Sequence, residues 1–117
     1  MRALILSSIL FLAACSATLP SFYDDNESLL AVEVRAEVAK LDCTKPDPTQ
    51  IKYSVDKLNL YSESKRSKDV GQLISMMKQT SDGLYKKSDI SQSFCNIKKT
   101  LLEKQSADIA NAIMRRY

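Results

Sequence analysis

Chain breakers are scarce in this sequence, and they are bunched. Glycine occurs only as Gly71 and Gly83 and proline only as Pro20, Pro46 and Pro48 among 117 residues. An all-β chain needs such residues at frequent turns, so that class is disfavoured from the outset. Between the breakers run Lys, Leu, Ala, Gln, Glu and Met, residues that lose little on entering a helix. The expected fold is all-α, a small antiparallel bundle of three to four helices.

Periodicity places the helices. Asp24 and Glu27 supply a cap and a first-turn carboxylate, and Leu30, Val34, Val38 and Leu41 follow on one stripe, predicting a helix over 25–42. Pro46 and Pro48 forbid its continuation. A second pattern starts near Thr49, with Ile51, Val55, Leu58 and Tyr61 on its apolar face, and then meets the polar run Ser62 to Lys68. Val70, Leu73, Ile74 and Met77 restart the stripe, and Asp82-Gly83 is read as its stop. The last helix is expected to be capped by Ser88 or Asp89. Its stripe is Ile90, Phe94, Ile97 and Leu101, drifting to Leu102, Ile109 and Ile113, and it should run almost to Arg116. No repeat of solenoid length recurs.

The first 15 residues have a different character. One charge, Arg2, precedes an apolar run ending Leu12-Ala13-Ala14-Cys15, the pattern of a secretory signal. About 11 apolar residues make a helix of roughly 16 Å, too short for a hydrocarbon core of roughly 30 Å. Small residues directly before a cysteine resemble the lipobox of bacterial lipoproteins, some of them phage-encoded. The resemblance covers residues 1–15 only and implies an address rather than an activity. It implies a signal peptide over 1–14, a Cys15 carrying acyl chains, a lipidated tether over 15–22 and a helical domain over 23–117. Two or three chains on one cysteine anchor a protein stably. Because Ser16, rather than an aspartate, follows the cysteine, it also implies the outer membrane, facing the periplasm.

Removing residues 1–14 leaves 103 residues, one domain by length. Arg2 is the only charge lost, so 16 basic and 14 acidic side chains remain, which is not the excess expected of a nucleic-acid binder. With Cys15 assigned to lipid, Cys43 and Cys95 form an even pair in an exported chain, and a structural disulfide between them is expected. Closing a loop of roughly 53 residues is worth roughly 4 kcal/mol from loop entropy.

That pairing bears on residues 49–82. As one helix of about 34 residues they would carry the chain some 50 Å away, and the first turns before Cys95 return only roughly 10 Å of it. A disulfide needs Cα atoms within about 7 Å. A reversal at Ser62 to Ser67, with Ser67 capping the next helix, meets that condition. The competing reading keeps one long helix and gives up the disulfide, or packs the first helix elsewhere.

Chemistry is limited by composition. Histidine is absent, which removes the usual general base and every Ser-His or Cys-His arrangement. No phosphate loop or calcium loop occurs, and no metal or other cofactor is expected. The carboxylates Asp24, Asp25, Glu27, Glu33, Glu37, Asp56, Glu63 and Glu103 fall mostly on helix starts or polar faces and are read as solvated surface. Of the adjacent Met76 and Met77, one is expected in the core. Basic residues cluster at Lys65, Arg66 and Lys68, and again at Lys86, Lys87, Lys98, Lys99, Arg115 and Arg116, a candidate basic surface for anionic headgroups or an acidic partner.

The function expected from these features is a non-enzymatic protein-interaction, inhibitor or exclusion module held at the outer membrane through its lipid, with an envelope protein as partner and no nucleic acid. The alternative is the outer-membrane component of an envelope-spanning or lysis complex of the spanin kind, which a fold lacking its own core would favour. A cell-wall hydrolase would need two carboxylates facing each other across a cleft.

Overall fold

The computed structural model describes residues 23–116. Leu12, Ala13, Ala14 and Cys15, with the tether and Tyr117, lie outside them. Four helices follow in order: α1 (Asp25–Lys40), α2 (Thr49–Lys65), α3 (Lys68–Lys86) and α4 (Gln92–Met114). Helix α1 packs on α2 and α4, and α3 packs on the same two. Cross-helix pairs fix the directions: Glu33 with Lys57, Glu27 with Ser62, Asp56 with Lys78 and Asp69 with Arg116. Glu27 at the start of α1 meets Ser62 near the end of α2, and Lys52 near the start of α2 lies 4.0 Å from Asp82 late in α3. Asp69 at the start of α3 meets Arg116 just past α4, and Lys99 early in α4 reaches Leu41 at the end of α1. The four contacts are therefore antiparallel and the bundle runs up, down, up, down.

Local chemistry explains the boundaries. Asp24 caps α1 by accepting from the Glu27 amide at 2.9 Å. In the α1–α2 turn, the Asp42 carboxylate accepts from the amide and hydroxyl of Thr44 at 2.9 and 2.6 Å. Asp47 does the same for Thr49, at 3.1 and 2.7 Å, supplying the cap that Pro48 cannot. Helix α2 ends on Arg66, whose backbone is left-handed at φ 58°. The amide of Ser67 then reaches back to the Ser62 carbonyl at 3.0 Å, closing a Schellman-type turn. The reversal expected between Ser62 and Ser67 is therefore where the chain turns.

Two expected boundaries move, and a third keeps its place without its expected bond. Asp82-Gly83 does not stop α3, which continues to Lys86 because Leu84 is fully buried on the core side and holds the next turn in place. Ser88 and Asp89 precede α4 without capping it; Ser91 does so, accepting from the Phe94 amide at 3.2 Å. Ser67 occupies the cap position of α3 but makes no capping bond, since its hydroxyl is turned inward.

The core runs the length of the bundle through Ala31, Val34 and Val38 of α1, Ile51, Val55 and Leu58 of α2, Val70, Ile74, Met77 and Leu84 of α3, and Cys95, Leu102, Ile109 and Ile113 of α4. Met77 is buried and Met76 half exposed, as the sequence suggested. Ile97 was expected inside and is 65 % exposed. Cys95 explains it. The cysteine faces inward to meet Cys43, and two residues along a helix is a rotation of roughly 200°. No helix among the described residues is long and apolar enough to cross a membrane.

Candidate functional site

The two ends of the bundle are closed by different chemistry. At one end Cys43, in the α1–α2 turn, is joined to Cys95, in the first turn of α4, with Cα atoms 5.5 Å apart. The expected disulfide is present. Lys99, one turn further along α4, donates to the carbonyls of Leu41 at 2.8 Å and Ala39 at 3.4 Å, satisfying acceptors that the end of α1 leaves without intrahelical partners.

At the other end a carboxylate is buried. Glu27 is fully inaccessible, and Arg116 is 7 % exposed. The Arg116 Nη1 bonds Glu27 Oε1, while its Nε and Nη2 donate to the two oxygens of Asp69 at 2.7 and 2.6 Å. The second oxygen of Glu27 accepts from Ser62 Oγ at 3.1 Å and from Ser67 Oγ at 2.7 Å. Both carboxylate oxygens are thus partnered, by residues of α2, of the α2–α3 turn and of the segment after α4. A buried charge is tolerated only on such terms.

Around this lock lies a half-buried shell. The Tyr61 hydroxyl donates to both oxygens of Asp24 at 3.0 Å, and Lys65 Nζ lies 3.3 Å from the same carboxylate. The Glu27 amide first, with Tyr61 and Lys65 adding to it, holds Asp24 below the usual carboxylate range against the opposing effect of desolvation. Beside the lock, between α2 and α3, opens a groove of about 500 Å³ whose lining includes Arg66, Lys68, Gly71 and Ser75.

One carboxylate pair is brought together. Asp56 of α2 and Asp82 of α3 each accept from Lys78 Nζ at 3.0 Å, whereas a glycosidase pair faces across a cleft that holds the substrate. The ammonium fills the space between them. Burial pushes the Asp56 carboxyl up, but bonds from Lys52 and Lys78 outweigh it and leave the group below its ordinary range. A general acid needs the reverse.

The candidate basic surface does not form one face. Lys86 and Lys87 are exposed at the disulfide end, where the ammonium groups of Lys87 and Lys98 lie 4.8 and 5.4 Å from the centre of the Phe94 ring. Lys99 is committed to carbonyls. Arg115 is exposed at the opposite end, and Arg116 belongs to the interior rather than the surface. The sequence reading missed the lock, although a signal was present: Glu27 continues the stripe Ala31, Val34, Val38, and Arg116 continues Ile109, Ile113.

Compared with known proteins, the chain matches no family model, no curated protein and no solved structure.

Proposed function

We propose that the chain is a lipoprotein anchored through Cys15 to the outer membrane, where its bundle serves as a non-enzymatic docking, inhibitor or exclusion module for an envelope protein. The observation that carries this reading is the lipobox-like Leu12-Ala13-Ala14-Cys15 placed nine residues before Asp24, which caps the first helix. A disulfide within the same chain suits an oxidising compartment such as the periplasm. The bundle has its own core and is closed at both ends, which suits a rigid docking body better than a subunit that needs a partner to fold. For that reason the envelope-spanning alternative is the weaker one.

The test is the intact mass of the membrane-extracted protein, with and without reduction, beside a Cys15→Ala variant. The expected result is a chain starting at Cys15 with two or three acyl chains, a gain of about 2 Da on reduction, and no acylation in the variant. Crosslinking in membranes then identifies the partner. An unmodified mass, or a cut after Cys15, overturns the anchor.

A further inference from the structure

The groove between α2 and α3 combines space, charge and position. Its volume, about 500 Å³, lies within the range of small-molecule sites. A Cβ built on Gly71 meets nothing within 4 Å, so that wall is open, and buried Ile74 lines it from below. Of its three cations, Lys78 is held by Asp56 and Asp82. Arg66 and Lys68 are exposed and make no ion pair among the described residues. Its one acidic lining residue, Glu63, accepts a hydrogen bond from Asn59 at 3.3 Å. The groove therefore offers two uncommitted positive charges against the single carboxylate of Glu63, a net positive balance, and α3 starts there without a side-chain cap.

Position supplies the ligand. The α2–α3 reversal sits at the end of the bundle where the chain enters, since Lys65 pairs with Asp24 at 3.3 Å. Tyr23 lies eight positions after Cys15, a reach of at most about 27 Å. An acyl anchor on Cys15 keeps this end within that reach of the lipid headgroups, nearer to them than the disulfide end when the bundle stands upright. We propose that the α2–α3 groove binds the phosphate of an anionic phospholipid in the leaflet that carries the anchor, with Arg66 and Lys68 as its counter-charges. The location rests on the lipoprotein reading; the groove itself does not. Filling it sets the bundle on its lock end and turns Lys86, Lys87 and Ile97 away from the membrane, toward a partner.

The experiment is lysine footprinting of the membrane-extracted protein, reconstituted in vesicles of phosphatidylcholine alone or with phosphatidylglycerol. Amine acylation at each lysine is read by peptide mass. Phosphatidylglycerol should slow labelling of Lys68 about fivefold, the effect of one basic residue engaging an anionic surface, while Lys86 and Lys87 label at unchanged rates. Arg66→Gly removes a counter-charge and relieves the left-handed backbone, so the variant folds; it should lose most of the Lys68 protection, whereas Arg115→Gln, outside the groove, keeps it. Equal labelling of Lys68 in both vesicles overturns the proposal. So does equal protection of Lys86 and Lys87, or an equal loss in Arg115→Gln, either of which means undirected charge attraction. Protection by free glycerol phosphate in phosphatidylcholine vesicles that equals the effect of phosphatidylglycerol at the same phosphate concentration overturns the lipid as source. If intact mass finds no acyl chain, footprinting of the unanchored protein added to the same vesicles still reads the groove, and the two readings fail separately.

Discussion

The two ends of this bundle solve one problem by opposite means. Four helices joined by short turns splay at their termini unless something ties the first to the last. At the disulfide end α1 and α4 are tied by a covalent bond between Cys43 and Cys95, which acts largely by restricting the unfolded chain. At the lock end they are tied through Glu27 and Arg116, a pair whose two charges must first be stripped of water. The disulfide tolerates imperfect surroundings. The ion pair does not, because every uncommitted lone pair or proton in it is a cost, and Ser62, Ser67 and Asp69 are placed to remove that cost.

The largest expected effect follows from this asymmetry. Arg116→Ala leaves Glu27 charged and buried, and should destabilise by about 3–5 kcal/mol in urea unfolding. Glu27→Ala should fall in the same range. A loss below about 1 kcal/mol for either would mean that water reaches the site on truncation and that the lock is not a dry interaction. Next comes the other end. Replacing Cys43 and Cys95 together by Ser should cost roughly 4 kcal/mol from a loop of 52 residues' separation, less any strain relieved. Because the two ties lie at opposite ends, their effects should add within about 0.5 kcal/mol when Arg116→Ala is measured in oxidised and reduced protein. A large coupling would show that the ends communicate through the core.

How much of this was legible depended on the range of the interaction. The helix count and the reversal at Ser62 to Ser67 followed from the proline positions and from the distance limit on one disulfide, both strong and simple constraints. The face of α4 did not follow. Ile90, Phe94, Ile97 and Leu101 make as good a stripe on paper as Cys95, Leu102, Ile109 and Ile113, and only the inward-facing cysteine chooses between them. The lock was the hardest part. Glu27 and Arg116 each prolong an apolar stripe, yet a charged residue in such a place is usually at the surface. Its partner stands 89 positions away in the chain, and hydroxyls from Ser62 and Ser67 had to be counted as well. The groove was invisible for another reason: it is a space between α2 and α3 and depends on the small size of Gly71 and Ser75, which reads in sequence only as weak helix propensity.

A smaller effect tests whether the lock end trades stability for charge. Arg66 holds a left-handed conformation that costs a residue with a Cβ about 1–2 kcal/mol and costs glycine almost nothing. Helices commonly end on glycine at this position. Arg66→Gly should therefore stabilise the protein by about 1 kcal/mol, read as a rise in the urea midpoint at unchanged slope. A stabilised protein with weakened Lys68 protection would identify arginine here as a residue kept for its charge. A destabilised one would show that the guanidinium contributes to the turn.

The finest distinction between the ends is their response to acid. The disulfide does not titrate, whereas Asp24 caps α1 beside the lock with its carboxyl held below the ordinary range by the Glu27 amide, Tyr61 and Lys65. A carboxylate whose folded pKa lies below the unfolded value of about 3.9 contributes stability that is complete above that value. The contribution is lost as pH falls through the folded pKa, because protonation then breaks the bonds that only the anion makes. Asp24→Asn separates cap from charge, since Asn is as good a cap as Asp. Its stability at pH 7 should fall only by the ionic share of the Lys65 and Tyr61 contacts, and its loss of stability between about pH 5 and pH 2 should be shallower than the parent's. Asp42 and Asp47 at the other end are also held low, each chiefly by the hydroxyl and amide of its threonine. The variant should therefore keep their part of the acid slope. An unchanged slope in Asp24→Asn would move the acid sensitivity of the fold away from the lock end and onto those two turn aspartates and Asp56, which Lys52 and Lys78 also hold low.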